Sequence, residues 1–363
     1  MKKGQGEGSY RLRKDGRHEW RIHIEGVRKT FYGKSKTEAQ QKAEEHKLKV
    51  ASGLDVSKNS NIGELTNKFL DIKKNIVAAK TYKSYEHLTR EILKSLKNVK
   101  LADLSTDRCQ SLANSQLSKG ISPYLIRKTN AMLVRILNYA IKLNYISRNA
   151  AEHVELPKYI KKDKNPFSAA ELNDFLSSAK NDEHFALWHL LAHTGMRVGE
   201  GLALQWSDLN FENGELTISK SFDDEFGVGD TKSRKERRII LSEETLEILK
   251  THQAAQLEKL LNKPDYWENN DLVFASSTGS HLLRRNINKR NFRKISGVEG
   301  RTIHSLRHTF ASLSLAAGVD VVSVANYLGH SNPNTTLSEY AQYMPSDAVN
   351  PSAVLSDLMK EAK

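Results

Sequence analysis

The sequence predicts a multidomain fold: a small N-terminal three-stranded β-sheet plus helix over residues 1–55, an all-α helical domain over 56–160, and a mainly α (α+β) domain over 161–363. Three observations carry that expectation. At 363 residues the chain is longer than one hydrophobic core organises, since domains usually hold ~100–200 residues. Short strand-like segments cluster near the N-terminus and again after Trp206, whereas the rest follows helical periodicity. Two polar stretches, Gly53 with Ser57–Ser60 and the basic run between Pro157 and Pro166, read as linkers between these regions.

In the first region, Tyr10–Arg13, Glu19–Ile24 and Arg28–Tyr32 are predicted strands, separated by the turn signals Asp15-Gly16 and Glu25-Gly26. Arg11, Arg13, Arg17, Arg21, Arg28 and Lys29 mix with Tyr10, Trp20, Phe31 and Tyr32, the composition of a strand face that enters a nucleic-acid groove. A solvated basic face packed by aromatics is the competing reading. Ser35-Lys36-Thr37-Glu38 has the capping-box pattern and opens a helix running to about Val50.

From Ile62 to about Val154 there are no strong strand signals. Ile62, Leu65, Phe69 and Ile72 recur at near-helical spacing, as do Leu133, Ile136, Leu137, Ala140 and Ile141. Lys80, Lys83 and Arg90 early in this region, and Arg127, Lys128, Arg135 and Lys142 near its end, provide a basic surface suited to duplex phosphates. Lys161 and Lys162 in the second linker extend that charge. In the third region, Ser168-Ala169-Ala170-Glu171 is a second capping box. A helix through Trp188 and Leu191 follows, then strands over Leu216–Lys220 and Arg238–Leu241 with a loop over Asp223–Asp230 between them, and a mainly helical remainder.

Composition narrows the function. Lys and Arg total 56 against 43 Asp and Glu, a net charge of +13 that favours a polyanionic partner through phosphate neutralisation. No stretch approaches the ~20 apolar residues of a transmembrane helix, and the opening Met-Lys-Lys-Gly-Gln-Gly-Glu-Gly lacks the apolar core of a signal peptide. Nucleic acid, no membrane and a cytoplasmic location are therefore expected. Cys109 is the single cysteine, which excludes an intrachain disulfide and points to core packing. His304 and His308 have the spacing of two metal ligands on one helix, but Ser305 stands where His-Glu-x-x-His needs its glutamate, so zinc is not expected there.

The chemistry lies in an ordered set: Arg197, Lys232, His304, Arg307, His330 and Tyr340. Each sits in a local phrase, Thr-Gly-Met-Arg-Val-Gly-Glu around Arg197, His-Ser-Leu-Arg-His-Thr-Phe from His304, and Tyr-Leu-Gly-His-Ser before Tyr340. Two arginine forks match phosphate oxygens, and preorganised charge at a five-coordinate phosphorus is usually the largest catalytic contribution. Glu200, on the same helical face as Arg197, would orient it. Tyr340 is the candidate nucleophile, with Tyr327 and Tyr343 as rivals. A phenol, with a pKa near ~10, needs a base or cations to attack at neutral pH, and His304 is placed to help. Lys232 is the candidate acid for the leaving 5′ oxygen, with Lys235 in competition.

On Thr194–Glu200, His304–Ser312 and Leu328–Tyr340 the chain resembles the tyrosine recombinases of the integrase type found in temperate phages and conjugative transposons. The resemblance covers essentially the whole chain. It implies an arm-site DNA-binding domain (1–55), a core-site DNA-binding domain (56–160) and a catalytic domain (161–363). It also implies activation of a scissile phosphate by Arg197, Lys232, His304, Arg307 and His330, and a 3′-phosphotyrosyl link at Tyr340. No cofactor is implied, neither ATP nor a divalent metal. The partners implied are double-stranded attachment-site DNA, three further copies in a tetramer on DNA, an accessory DNA-bending protein and an excisionase. The apolar stripe of Ala353–Met359 would dock on a neighbouring protomer or on its own domain. Two departures from the family pattern are Ser305, where Asp or Glu is common, and Gly201, where a larger apolar residue is usual. A type IB topoisomerase, a catalytically silent DNA-binding protein and a chromosome-dimer resolvase are the rival readings.

Overall fold

The computed structural model describes residues 8–24, 27–51, 60–160, 165–232, 235–262, 267–268, 270–295, 297–344, 352, 355 and 359–360. The expected Glu25-Gly26 turn, all of the first linker but Ser60, the middle of the second linker with Lys161 and Lys162, and most of the Ala353–Met359 stripe lie outside these residues; Leu355 and Met359 are exposed. The chain divides into two compact units, Met1–Lys161 and Lys162–Lys363.

The first unit begins with strands β1 (Ser9–Leu12), β2 (His18–Ile24) and β3 (Val27–Gly33), an antiparallel sheet in the order β1-β2-β3. Helix α1 (Lys36–Ala51) follows. Its start is capped as the sequence predicts on one side, with Ser35 Oγ accepting from the Glu38 amide at 3.1 Å, but the Glu38 carboxylate accepts from the Lys34 amide at 2.7 Å. Strand alternation separates what the sequence appeared to mix. Register pairs Arg11 with Glu19 and Arg21 with Thr30, so Arg11, Arg13, Arg21, Arg28 and Tyr32 share one face. Tyr10, Trp20, Lys29 and Phe31 lie on the other, with buried Ile22, where Phe31 meets His46 of α1 at 5.1 Å. Aromatics therefore do not interleave with the basic cluster, apart from Tyr32.

Helices α2 (Ile62–Lys74), α3 (Ala79–Leu96), α4 (Thr106–Ser118) and α5 (Pro123–Lys142) make up the rest of the unit. Each start but that of α3 has a side-chain cap: Asn61 with Glu64 in a capping box, Ser105, and Ser122 followed by Pro123. Ile62, Leu65, Ile126, Leu133, Ile136, Leu137 and Ala140 form the core with Cys109. Burial raises the Cys109 thiol pKa to about 11, which suits a packing role. Ile72 is the exception to the predicted stripe: it is 43% exposed near the end of α2, beyond what α3 and α5 cover.

The second unit opens with α6 (Ala169–Ala179), whose Ser168–Glu171 capping box is complete, and continues with α7 (Phe185–Thr194) and α8 (Val198–Leu202). Strands β4 (Leu209–Asn210), β5 (Glu215–Ile218) and β8 (Arg237–Ile240) form one antiparallel sheet in the order β4-β5-β8. Between β5 and β8, strands β6 (Lys220–Asp223) and β7 (Gly227–Asp230) form a separate hairpin. That corrects the loop expected at Asp223–Asp230: Gly227, at φ +72°, supplies the turn, and Val228 pairs with Phe222. Helices α9 (Glu243–Asn262), α10 (Arg284–Arg290), α11 (Ile303–Ala316), α12 (Val321–Leu328) and α13 (Pro333–Tyr340) complete it. Trp188, Leu187 and Leu190 of α7 anchor the larger core, and Ala311, Leu315, Val324, Leu328 and Tyr340 form a second apolar cluster. No helix among the described residues is long and apolar enough to cross a membrane.

Candidate active site

The site is assembled at the end of α7. Gly195 terminates that helix at φ +61°, a conformation that favours glycine. A Cβ there would also lie 2.5 Å from the Phe310 ring, so glycine is required twice over. The turn delivers Arg197 to the N-cap of α8, and the buried Glu200 at N3 accepts from both the Arg197 amide and its Nη1, each at 2.9 Å. Gly201 packs where a Cβ would meet Leu187 at 3.2 Å and Leu191 at 3.4 Å, which accounts for a small residue there.

Glu200 has a second partner that sequence reasoning missed. Arg237, at the start of β8, donates from Nη2 to Glu200 Oε2 at 2.6 Å and from Nε to the Tyr327 carbonyl at 2.9 Å. Burial alone would raise the Glu200 pKa, but the hydrogen bonds and charges of Arg237 and Arg197 outweigh it and hold the carboxyl below its ordinary range. Gly329, at φ +67° at the end of α12, lies close by, since a Cβ on it would approach Arg237 Nη1 to 2.8 Å. His330 follows, with Nδ1 2.7 Å from the buried Thr336 hydroxyl.

Arg307 lies in the first turns of α11, on one face with His304 and His308 by helical spacing. Only 3% of it is exposed. Its Nη1 donates to the Gly195 carbonyl at 2.8 Å, while Nη2 is buried with no hydrogen-bond partner among the described residues. Burial, with the charge of Arg197, lowers its pKa to about 10; Glu200 and Tyr340 act in the opposite sense. The guanidinium stays charged at neutral pH, and Arg197, Glu200, Arg237 and Tyr340 are all within its electrostatic reach.

Tyr340, the last residue of α13, is 1% exposed within the apolar cluster of α11 and α12. Its hydroxyl shares a short hydrogen bond with His308 Nδ1. Burial raises the phenol pKa further above its ordinary value, Glu339 adds to that, and Arg307 opposes it. Thus His308, not His304, touches the candidate nucleophile in this arrangement. The exposed His304 is one step removed, its ring 4.6 Å from that of His308 in an edge-on arrangement. Of the rival tyrosines, Tyr327 stacks on Phe310 with its hydroxyl 3.4 Å from the Ile240 carbonyl, and Tyr343 lies with its ring 6.5 Å from that of Tyr340.

Lys232 is exposed in the connection after β7, where the Thr231 hydroxyl closes a turn on the Lys235 carbonyl at 3.2 Å. Among the described residues no hydrogen bond or ion pair joins it to the arginines and histidines. The structure thus gathers Arg197, Arg307 and Tyr340, places His330 and His304 at their margin, and exposes Lys232 on the connection after β7. The signal that could have revealed Arg237 was faint, one of two adjacent arginines in the run Lys-Glu-Arg-Arg.

The first unit carries basic surfaces of its own. Arg11, Arg13, Arg21 and Arg28 line a depression of about 600 Å³ on the sheet. Glu19, 2% exposed, pairs there with Arg21 and, at 3.6 Å, with Arg13. On the helices, Lys80, Lys83, Arg127 and Lys128 are exposed; Arg127 donates to the Pro157 carbonyl at 3.0 Å and Lys128 lies 4.7 Å over the Tyr124 ring.

Comparison with known proteins identifies this architecture. The model of the phage integrase family matches residues 165–346, and that of the phage integrase N-terminal SAM-like domain matches residues 61–117. A "Tyrosine recombinase XerC-like" protein of Caldanaerobacter subterraneus subsp. tengcongensis is 27% identical over 361 residues, covering 92% of each chain. The "ICEBs1 integrase" of Bacillus subtilis is 24% identical, with 80% of each chain covered. Among solved structures, the Tn1549 transposon integrase in complex with a circular intermediate DNA has a TM-score of 0.68 at 20% identity, covering 82% of this chain and 99% of that one. A lambda integrase tetramer bound to a Holliday junction has a TM-score of 0.62 at 17% identity, covering 93% of this chain and 95% of that one. The chain belongs to the phage integrase family and is a tyrosine-type recombinase.

Proposed function

We propose that the chain cleaves and rejoins DNA through a 3′-phosphotyrosyl intermediate at Tyr340, and that it thereby integrates and excises a mobile element or prophage. The observation that supports this best is the buried, charged Arg307, with an unpartnered Nη2 and with Arg197 and Tyr340 in its electrostatic surroundings. A buried cation with a spare donor calls for an anion, and a phosphate oxygen supplies one.

Arg197 and Arg307 hold the non-bridging oxygens of the scissile phosphate, with His330 and His304 beside them. The Tyr340 oxygen attacks phosphorus as its proton passes to His308. The bond from phosphorus to the 5′ oxygen breaks, and that oxygen takes a proton from Lys232 or Lys235. Rejoining is the reverse, a 5′ hydroxyl displacing tyrosine, so the bond energy is conserved and no oxidant or cofactor is consumed. Because Tyr340 is 1% exposed, the packing over its hydroxyl has to open before a phosphate reaches it.

In this reading residues 1–55, 56–160 and 161–363 are the arm-site, core-site and catalytic domains. Arg11, Arg13 and Arg21 contact arm-site phosphates, and Lys80, Lys83, Arg127 and Lys128, with Lys161 and Lys162 of the linker, contact the core site. A tetramer on paired attachment sites is supported by the lambda integrase tetramer on a Holliday junction, and the integrative role by the ICEBs1, Tn1549 and lambda integrases. An accessory DNA-bending protein and an excisionase complete the partners.

The test is covalent capture on a nicked suicide duplex taken from the ends of the element that encodes this chain. An SDS-resistant adduct formed without metal and lost in Tyr340→Phe is expected. An adduct that survives the substitution moves the nucleophile to Tyr343 or Tyr327. Binding without any adduct, on DNA proven to contain the site, returns the chain to the silent DNA-binding reading.

A further inference from the structure

Among the described residues outside the arginine–tyrosine site, one cluster of ligating side chains has the geometry of a built site. His189 and His193 are one turn apart on α7, and Glu244 is in the first turn of α9, the helix packed against it. One ligating atom from each of the three lies within 4.8 Å of the others. The two imidazole rings stack with centroids 3.9 Å apart and planes 14° from parallel.

The hydrogen bonding of these residues is that of ligands in waiting. His193 Nδ1 lies 2.9 Å from the His189 backbone carbonyl, which can only accept, so the proton sits on Nδ1 and the Nε2 lone pair is available. This is the arrangement that orients a metal-ligating histidine. His189 is 2% exposed, yet neither of its ring nitrogens has a hydrogen-bond partner among the described residues. Its Nε2 is directed at Glu244 Oε1 from 3.6 Å, too far for a hydrogen bond. Burial, together with the adjacent His193 ring, lowers the His189 pKa to about 4, so the ring is neutral at physiological pH.

We infer that His189, His193 and Glu244 form a binding site for a borderline divalent cation, Zn²⁺ in the first instance, that clips the last turn of α7 to the first turn of α9. Two imidazoles and one carboxylate suit Zn²⁺, with water completing a tetrahedron, and bonds of ~2.0–2.1 Å bring ligand atoms within about 3.5 Å of one another. Closing from the present spacing takes roughly 1 Å of movement, which the exposed Glu244 and His193 can provide without disturbing buried His189. The clip is placed to matter, because α7 runs directly into Gly195 and Arg197. It takes no part in the tyrosine chemistry and stands whether or not that reading holds.

The experiment is titration of the chelator-treated full-length chain with Zn²⁺ by calorimetry, and with Co²⁺ by visible absorption. Wild type is compared with His193→Ala and Glu244→Gln, both substitutions at exposed positions. The expected result is one Zn²⁺ per chain, a tetrahedral Co²⁺ spectrum, and affinity reduced by about 100-fold in each variant, the upper end of what even outer-shell changes cost. A Zn²⁺-dependent rise in melting temperature should be present in wild type and absent in both variants. No binding in the micromolar range overturns the inference. So does binding retained in either variant, which would place the ion on other histidines.

Discussion

Replacing Arg237 by alanine should destabilise the second unit by about 3 kcal/mol. The Glu200 side chain is fully buried and Arg237 is 10% exposed, so the substitution removes one partner of a buried ion pair, which typically costs ~3–5 kcal/mol. Arg197 Nη1 remains on Glu200 at 2.9 Å, which places the effect at the lower end; the Tyr327 carbonyl also loses its donor. For a unit of roughly 200 residues, each kcal/mol shifts the melting temperature by about 2–4 °C, so a fall of ~6–12 °C is expected. Thermal and denaturant unfolding followed by circular dichroism would measure it, alongside adduct yield on a suicide duplex. Adduct formation should fall with it, because Arg197 is oriented by the same carboxylate. Arg237→Lys should recover part of the stability, since an ammonium can reach Glu200 but cannot bridge to the Tyr327 carbonyl in the same geometry. Unfolding of Arg237→Ala within about 1 kcal/mol of wild type, with normal cleavage, would refute the network as described.

Further outcomes follow from the same site. Arg307→Met should fold with stability within about 2 kcal/mol of wild type, as relief of a buried charge offsets the hydrogen bond lost at Gly195, while cleavage drops by ~10²–10³-fold; wild-type-like cleavage would remove Arg307 from the mechanism. Gly195→Ala should cost about 2–4 kcal/mol, from a left-handed backbone and a Cβ driven into the Phe310 ring, measured by denaturant unfolding. The folded-state pKa of Glu200 lies below its unfolded value of ~4.3, so its contribution is fully present above that value and is lost as pH falls through the folded pKa; in Glu200→Gln the acid limb of stability against pH should be shallower. On the N-terminal sheet, Arg11→Ala or Arg21→Ala should each reduce the salt slope of arm-site DNA binding by about 0.9, with cleavage of a core-only duplex unchanged.

Much of this architecture is legible in local sequence because it rests on local physics. The first three strands follow from short strand-like runs between turn signals, and the start of α6 from its capping box. Short phrases reveal Arg197, Arg307 and Tyr340 because each phrase carries the side chain together with its support: Gly195 for the turn and Glu200 for the carboxylate one helical turn on. Where the reading departed from the structure, a second element decided. The Asp223–Asp230 segment became a hairpin because β6 gave it a partner. Ile72 stayed exposed because helical spacing alone does not fix how far a neighbouring helix reaches along α2. The aromatics of the sheet separated from its arginines because register assigns each strand position to one of two faces.

The sequence by itself determined the three kinds of region, the positive charge and which residues are candidates for the reacting groups, since these depend on residue type and on spacings of two to four positions. Only the tertiary structure decided that Arg237 rather than a neighbour braces Glu200, 37 residues away, and that His308 rather than His304 holds Tyr340, 32 residues away. It alone decided that Arg307 reaches across 112 residues to Gly195 with one donor left over. Such pairings join segments whose separation along the chain carries no periodicity, and they exist only because packing the cores brings those particular atoms within hydrogen-bonding distance.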